Sequence, residues 1–82
     1  MTKTKKAKVN FEYEEVKIHV LRSERVTPTE TQWDLDVNGK NVWVSKWVED
    51  DFCVDHEIFK GEELLDEVEY DAVIEFIDEQ PL

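Results

Sequence analysis

Apolar and polar positions alternate along most of the first two thirds of the chain. Val9, Phe11 and Tyr13 occupy one alternation and Val16, Ile18 and Val20 the other, so the phase slips by one residue near Glu14–Glu15. Period-two alternation marks a half-buried strand, and a single slip is what a β-bulge or a strong bend produces. The segment therefore predicts one long strand over about residues 8–22. From Ser23 to Glu30, with Pro28 inside, the pattern breaks and predicts a loop.

The strongest local signal runs from Trp33 to Val44. Asn38-Gly39 sits between two alternating runs, and Asn-Gly is the dipeptide that best tolerates the positive φ angles of a two-residue type I′ hairpin turn. That turn sets Val37 opposite Lys40, Leu35 opposite Val42 and Trp33 opposite Val44, all on one sheet face. Asp34, Asp36, Trp43, Ser45 and Trp47 fall on the other, a mixed acidic and aromatic face. Phe52-Cys53-Val54 is either a short edge strand or a packed loop. Asp55 to Gly61 reads as a single turn capped by Asp55 and ended by Gly61.

Between Glu62 and Glu79 the propensity is helical, but one straight helix fits poorly. Leu64, Leu65, Val68, Ala72 and Phe76 make one stripe, while Tyr70, Val73, Ile74 and Ile77 point away from it. Two helices fit better, with a break near Glu69–Asp71 and Asp71 as the second N-cap. Pro81 follows the end. The fold expected is α+β, an antiparallel three- to four-stranded sheet with one or two C-terminal helices on one face.

At 82 residues the chain is a single domain, divided into a basic tail over 1–8 and an acidic domain over 9–82. Nine aromatics and many aliphatic residues oppose disorder. A core this small yields only about 3–5 kcal/mol, which makes a homodimer one route to further stability. The single cysteine cannot form an internal disulfide, and the sequence offers neither a signal peptide nor an apolar run long enough for a membrane span, so a cytoplasmic protein is expected.

Charge changes the picture most. The net charge is −11, and from Glu49 to Leu82 fourteen acids face one base, Lys60. A field this negative repels nucleic acid and anionic membranes and attracts basic surfaces.

Candidates for chemistry are weak. Asp34-x-Asp36-x-Asn38-Gly39 matches the opening of a calcium loop, but the position that should supply a bidentate Glu is Ser45, so the hairpin reading prevails. Cys53 and His56, among Asp50, Asp51, Asp55 and Glu57, lack the second paired spacing that zinc requires. A Cys–His nucleophile would need Cys53 beside His56 or His19 together with an orienting group. No metal, cofactor or catalytic residue is expected, and the chain reads as not an enzyme.

The acids themselves carry two competing readings: solvation of a small domain, or imitation of a polyanion. Duplex DNA presents about one charge per 1.7 Å of axis, and proteins that bind it line their grooves with Lys and Arg. Crowded like charges cost stability, so their density points to a functional reason. In size, acidity and the pairing of a small sheet with acidic helices, carried by Glu49-Asp50-Asp51 and by Glu62 to Glu79, the chain resembles the small phage-encoded DNA-mimic inhibitors. The resemblance implies an acidic face that enters the cleft of a basic DNA-binding protein, such as a histone-like nucleoid protein or a nuclease. It carries no motif, and the basic tail departs from a uniformly acidic design.

The acidic face expected to bind the partner comprises Glu49, Asp50, Asp51, Glu62, Glu63, Asp66, Glu67, Glu69, Glu75, Asp78 and Glu79. Trp43 and Trp47 are either core or dimer contacts or interface anchors. They define the alternative function, a dimeric structural or adaptor module whose acids serve only solubility. A metal-responsive protein using Cys53 and His56 is a third, weaker reading.

Overall fold

The computed structural model describes residues 10–49 and 53–81. The tail over 1–8, Asp50, Asp51 and Phe52 lie outside the described residues. Five antiparallel strands neighbour one another in chain order: β1 (Phe11–Tyr13), β2 (Val16–Thr27), β3 (Glu30–Val37), β4 (Lys40–Val48) and β5 (Val54–Lys60). A 3₁₀ turn (Glu62–Leu64) then leads into α1 (Glu67–Glu79), which packs on one face of the sheet.

The Asn-Gly hairpin forms as the sequence predicts. Asn38 and Gly39 take φ of 50° and 87°, and the register pairs Val37 with Lys40, Leu35 with Val42 and Trp33 with Val44. Asp36 Oδ1 accepts the Gly39 N–H at 2.6 Å, and Asn41 Nδ2 donates to Asp34 Oδ1 at 2.6 Å. Both aspartates of the apparent calcium motif thus brace the turn.

Three expectations are corrected, and together they account for the sheet exceeding three or four strands. The phase slip at Glu14–Glu15 is a tight hairpin, with Tyr13 opposite Val16 and Phe11 opposite Ile18. A two-residue connection shifts the alternation by one just as a bulge does. Glu14 supplies the positive φ, 58°, without the Gly or Asn that would have advertised the turn. Secondly, the Ser23–Glu30 loop is mostly strand: β2 runs to Thr27 and turns at Pro28–Thr29, where Arg25 Nη1 donates to the Pro28 carbonyl at 2.7 Å. This end of β2 is exposed on both faces, so burial selected no alternation there. Thirdly, Val54–Lys60 is a strand and not a capped turn, pairing Val44 with Ile58 and Lys46 with His56. Cys53 stands just ahead of it, exposed.

The C-terminal segment holds one α-helix. Its N-cap is Asp66, not Asp71, and no break occurs at Glu69–Asp71. Asp66 and Glu69 form a reciprocal capping box: Asp66 Oδ1 accepts the Glu69 N–H at 2.8 Å, and the Asp66 N–H donates to Glu69 Oε1 at 3.0 Å. Starting there rotates the buried face to Ala72, Val73, Phe76 and Ile77, leaving Leu64, Val68 and Tyr70 exposed.

The core lies between α1 and one sheet face: Val16, Ile18, Trp33, Leu35, Val37, Val42, Val44 and Ile58 against the four helix residues. Phe76 is its centre, with Phe11 and Trp33 edge-on at 5.8 and 6.0 Å between ring centroids. Gly61, at φ 90°, lets the chain leave β5 while pressed against the backbone of Asn41 and Val42. Among the described residues no helix is long and apolar enough to cross a membrane.

Candidate functional site

Strand alternation fixes two surfaces that α1 leaves to solvent: the outer side of the helix and the opposite side of the sheet. On the helix, Glu67, Asp71, Glu75 and Glu79 recur every fourth residue, with Asp78 beside them, and all five are exposed. No Lys or Arg occurs between Glu62 and Leu82, so this row has no neutralising neighbour in its own segment. Glu62 and Glu63 belong to the preceding 3₁₀ turn, and Glu49 stands exposed at the end of β4.

Glu69 leaves the predicted acidic face. It is buried, and Lys40 Nζ donates to its Oε1 at 2.6 Å. That ammonium, followed by the Asp66 backbone N–H, holds the Glu69 carboxyl below its ordinary 4.5 against the opposing effect of burial. Asp66 is likewise engaged, its carboxylate occupied by the capping box although the residue is exposed. Both acids are structural before they are electrostatic. Asp71, which sequence reading assigned to a helix start, instead joins the exposed row.

The far end of α1 has an unusual partner. Lys46 lies on the helix-facing side of β4, only 8% exposed, and its Nζ donates to the carbonyls of Ile77 and Gln80 at 2.6 and 2.7 Å. Helix ends leave orphan carbonyls with partial negative charge. Here a lysine from the sheet satisfies them, because the helix's own last turn contains no base. Nothing in the spacing of the sequence announces that contact.

The opposite side of the sheet carries Trp43 and Trp47, both half-buried, where the hairpin register predicts them. Phe59 leans on Trp43 at 6.2 Å between ring centroids. Between Trp47 and Phe59 opens a cavity of about 360 Å³, lined chiefly by Glu30, Gln32, Ser45, Trp47, Glu57 and Phe59. Ser45 is 3% exposed, and its hydroxyl donates to Glu30 Oε2 at 2.5 Å, which positions that carboxylate at the cavity wall. Trp47 Nε1 donates to Glu49 Oε2 at 3.2 Å. Sequence analysis placed the tryptophans but missed Phe59 and Glu57, because it read Asp55–Gly61 as a turn. Recognising Val54, His56 and Ile58 as one alternation would have found them.

A second cavity of about 340 Å³ lies at the helix N-terminus against Glu14, Val16, Asn38 and Val68. Two of the carboxylates that line it, Asp66 and Glu69, are those committed to the capping box. Among the described residues no three His, Cys, Asp or Glu side chains gather in a way that could hold a metal ion. Comparison with protein-family models, with curated proteins and with solved structures finds no match for the chain.

Proposed function

We propose that this protein is a DNA-mimicking inhibitor that performs no chemistry of its own: it occupies the basic nucleic-acid-binding surface of another protein with a fixed row of carboxylates. The observation that carries the reading is the outer face of α1, where Glu67, Asp71, Glu75, Asp78 and Glu79 are exposed in a segment without a base. At about 1.5 Å of rise per residue these five charges fall within about 18 Å, roughly one per 4 Å, close to the roughly 3.4 Å axial spacing of phosphates along one DNA strand. Three like-charged pairs at i,i+4 oppose helix formation by about 0.2–0.5 kcal/mol each. Solubility alone is served as well by interspersed charges of both signs, which carry no such penalty.

A DNA-binding nucleoid protein or nuclease is the class of partner with a matching surface. The test is capture from bacterial lysate on the immobilised protein, with elution by a salt gradient and competition by duplex DNA. The reading expects a basic DNA-binding protein that leaves as salt rises and is displaced by DNA. Asp71→Lys with Glu75→Lys and Glu79→Lys should slow association and flatten its salt dependence. Unchanged affinity in that variant refutes mimicry.

One observation favours a second reading: Trp43 and Trp47 are only half-buried on a face that no element of the described chain covers. An adaptor or homodimer docking through them would be nearly indifferent to salt and would lose binding in Trp43→Ala.

A further inference from the structure

We propose that the cavity over Ser45 on the open sheet face is a socket for a single lysine or arginine side chain presented by a protein partner. The inference rests on the reading that the partner is basic, and it assigns the short-range lock to a place distinct from the acidic helix. Three features select a cation. The lining includes two aromatic residues, Trp47 and Phe59, and aromatic rings attract ammonium and guanidinium groups within about 6 Å of the ring centroid. Two carboxylates, Glu30 and Glu57, enter from the strands on either side of β4, and none of the described residues lining the cavity is basic. Glu30 is held by the buried Ser45 hydroxyl, and a carboxylate so held retains acceptor capacity for a further donor.

Other occupants fit worse. An apolar group would desolvate two carboxylates without partnering them, and an anion would be repelled. The volume, about 360 Å³, is at the small end of the roughly 300–1,000 Å³ typical of ligand pockets, enough for one side chain and its head group. The outer helix row stands exposed on the helix surface with a single ring, Tyr70, beside it, so it attracts at range without gripping. The cavity at the helix N-terminus is lined by no aromatic residue among those described, and the Lys40 ammonium already neutralises its Glu69.

The test titrates the full ¹⁵N-labelled chain with acetyl-Gly-Lys-Gly-amide, acetyl-Gly-Arg-Gly-amide and, as the neutral isostere, acetyl-Gly-norleucine-Gly-amide. The expected result is saturable shifts at the Trp47 indole N–H and at the amides of residues 30–32, 45–47 and 57–59 with the two cationic peptides, and none with the norleucine peptide. Glu57→Gln and Phe59→Leu should each weaken binding about fivefold, provided their spectra keep the parent dispersion. Glu12→Gln, an exposed acid on β1, should leave binding unchanged. Shifts spread over residues 67–79, equal shifts with norleucine, or insensitivity to both cavity variants overturn the socket. Salt-sensitive capture of a basic protein would then still support mimicry. Conversely, saturable peptide binding at the cavity with no DNA-competed capture from lysate would keep the socket and remove mimicry.

Discussion

Replacing Lys46 by Met removes a charge while preserving the stem that fills its place under α1. Lys46 is 8% exposed, and its ammonium donates to the Ile77 and Gln80 carbonyls at 2.6 and 2.7 Å. A hydrogen bond to a charged group contributes about 1.5–3 kcal/mol, so two set an upper bound of about 6 kcal/mol. Three effects reduce it. The Ile77 carbonyl keeps the Gln80 N–H at 3.1 Å, so it does not become an orphan. Gln80 is itself only half-buried, so its carbonyl can recruit water. The variant is also relieved of the desolvation of a buried ammonium, an effect of several kcal/mol for full burial. Against these stands the lost opposition to the helix dipole, which Asp78 and Glu79 aggravate. The balance gives a loss of about 2 kcal/mol, or about 8–16 °C in Tm for a chain this size.

Thermal and urea unfolding followed by far-ultraviolet circular dichroism measures it, with amide exchange locating the loss in the last two turns of α1. Lys46→Arg should recover part of the stability if two carbonyls remain in reach. Because the contact is buried, the difference between Lys46→Met and the parent should persist in high salt, where exposed charge pairs are screened. A loss under about 0.5 kcal/mol would refute the reasoning, since desolvation would then cancel both bonds.

Three further outcomes follow from the same geometry. Glu69 is held below its ordinary 4.5 by Lys40, so its contribution is complete above that value and disappears as pH falls through the lower folded value; a Glu69→Gln variant should be less stable than the parent at neutral pH and converge with it in acid, and parallel pH–stability curves would refute this. Gly61→Ala should cost about 2–4 kcal/mol, against about 1 kcal/mol for Gly39→Ala, because both glycines have positive φ but only at Gly61 would a Cβ strike the Asn41–Val42 backbone; equal losses in urea melts would show that the contact yields. Glu14→Gly, at φ 58°, should raise the unfolding free energy by up to about 1 kcal/mol, and a decrease would mean that the Glu14 side chain does more than occupy the turn.

What could be read from the sequence divides by whether a signal is local. Asn38-Gly39 dictates its own backbone, and the alternation around it set the register of β3 and β4 and the face of Trp43 and Trp47. The Glu14–Glu15 hairpin left the same phase slip as a bulge and had no turn residue to distinguish the two. The far half of β2 carries no alternation because it is exposed on both faces, so burial never selected one. The helix start was misread because Asp66 and Asp71 are both acceptable caps by type; the reciprocal Glu69 three residues after Asp66 was the deciding clue. Of the candidate site, the exposed acids were legible by composition, whereas the withdrawal of Glu69, the Lys46 cap and the Glu57–Phe59 side of the cavity depend on which strands and helix meet.

The two lysines on β4 connect stability to the proposed function. Lys40 and Lys46 are six residues apart on one strand, hence on the same face and about 20 Å apart. One holds Glu69 in the first turn of α1 and the other holds the carbonyls at its last. An isolated helix of 13 residues is marginal in water even with good propensity, and this one adds like charges along its outer row and acids at its negative end. Its order is therefore supplied from the sheet, at both ends and along the apolar face between. Under the mimicry proposed above, a row of carboxylates on a helix pinned in this way has its spacing fixed before a partner arrives, so binding does not have to order it. On that proposal, loosening either pin should weaken association through a slower, less organised encounter even when every exposed carboxylate is intact.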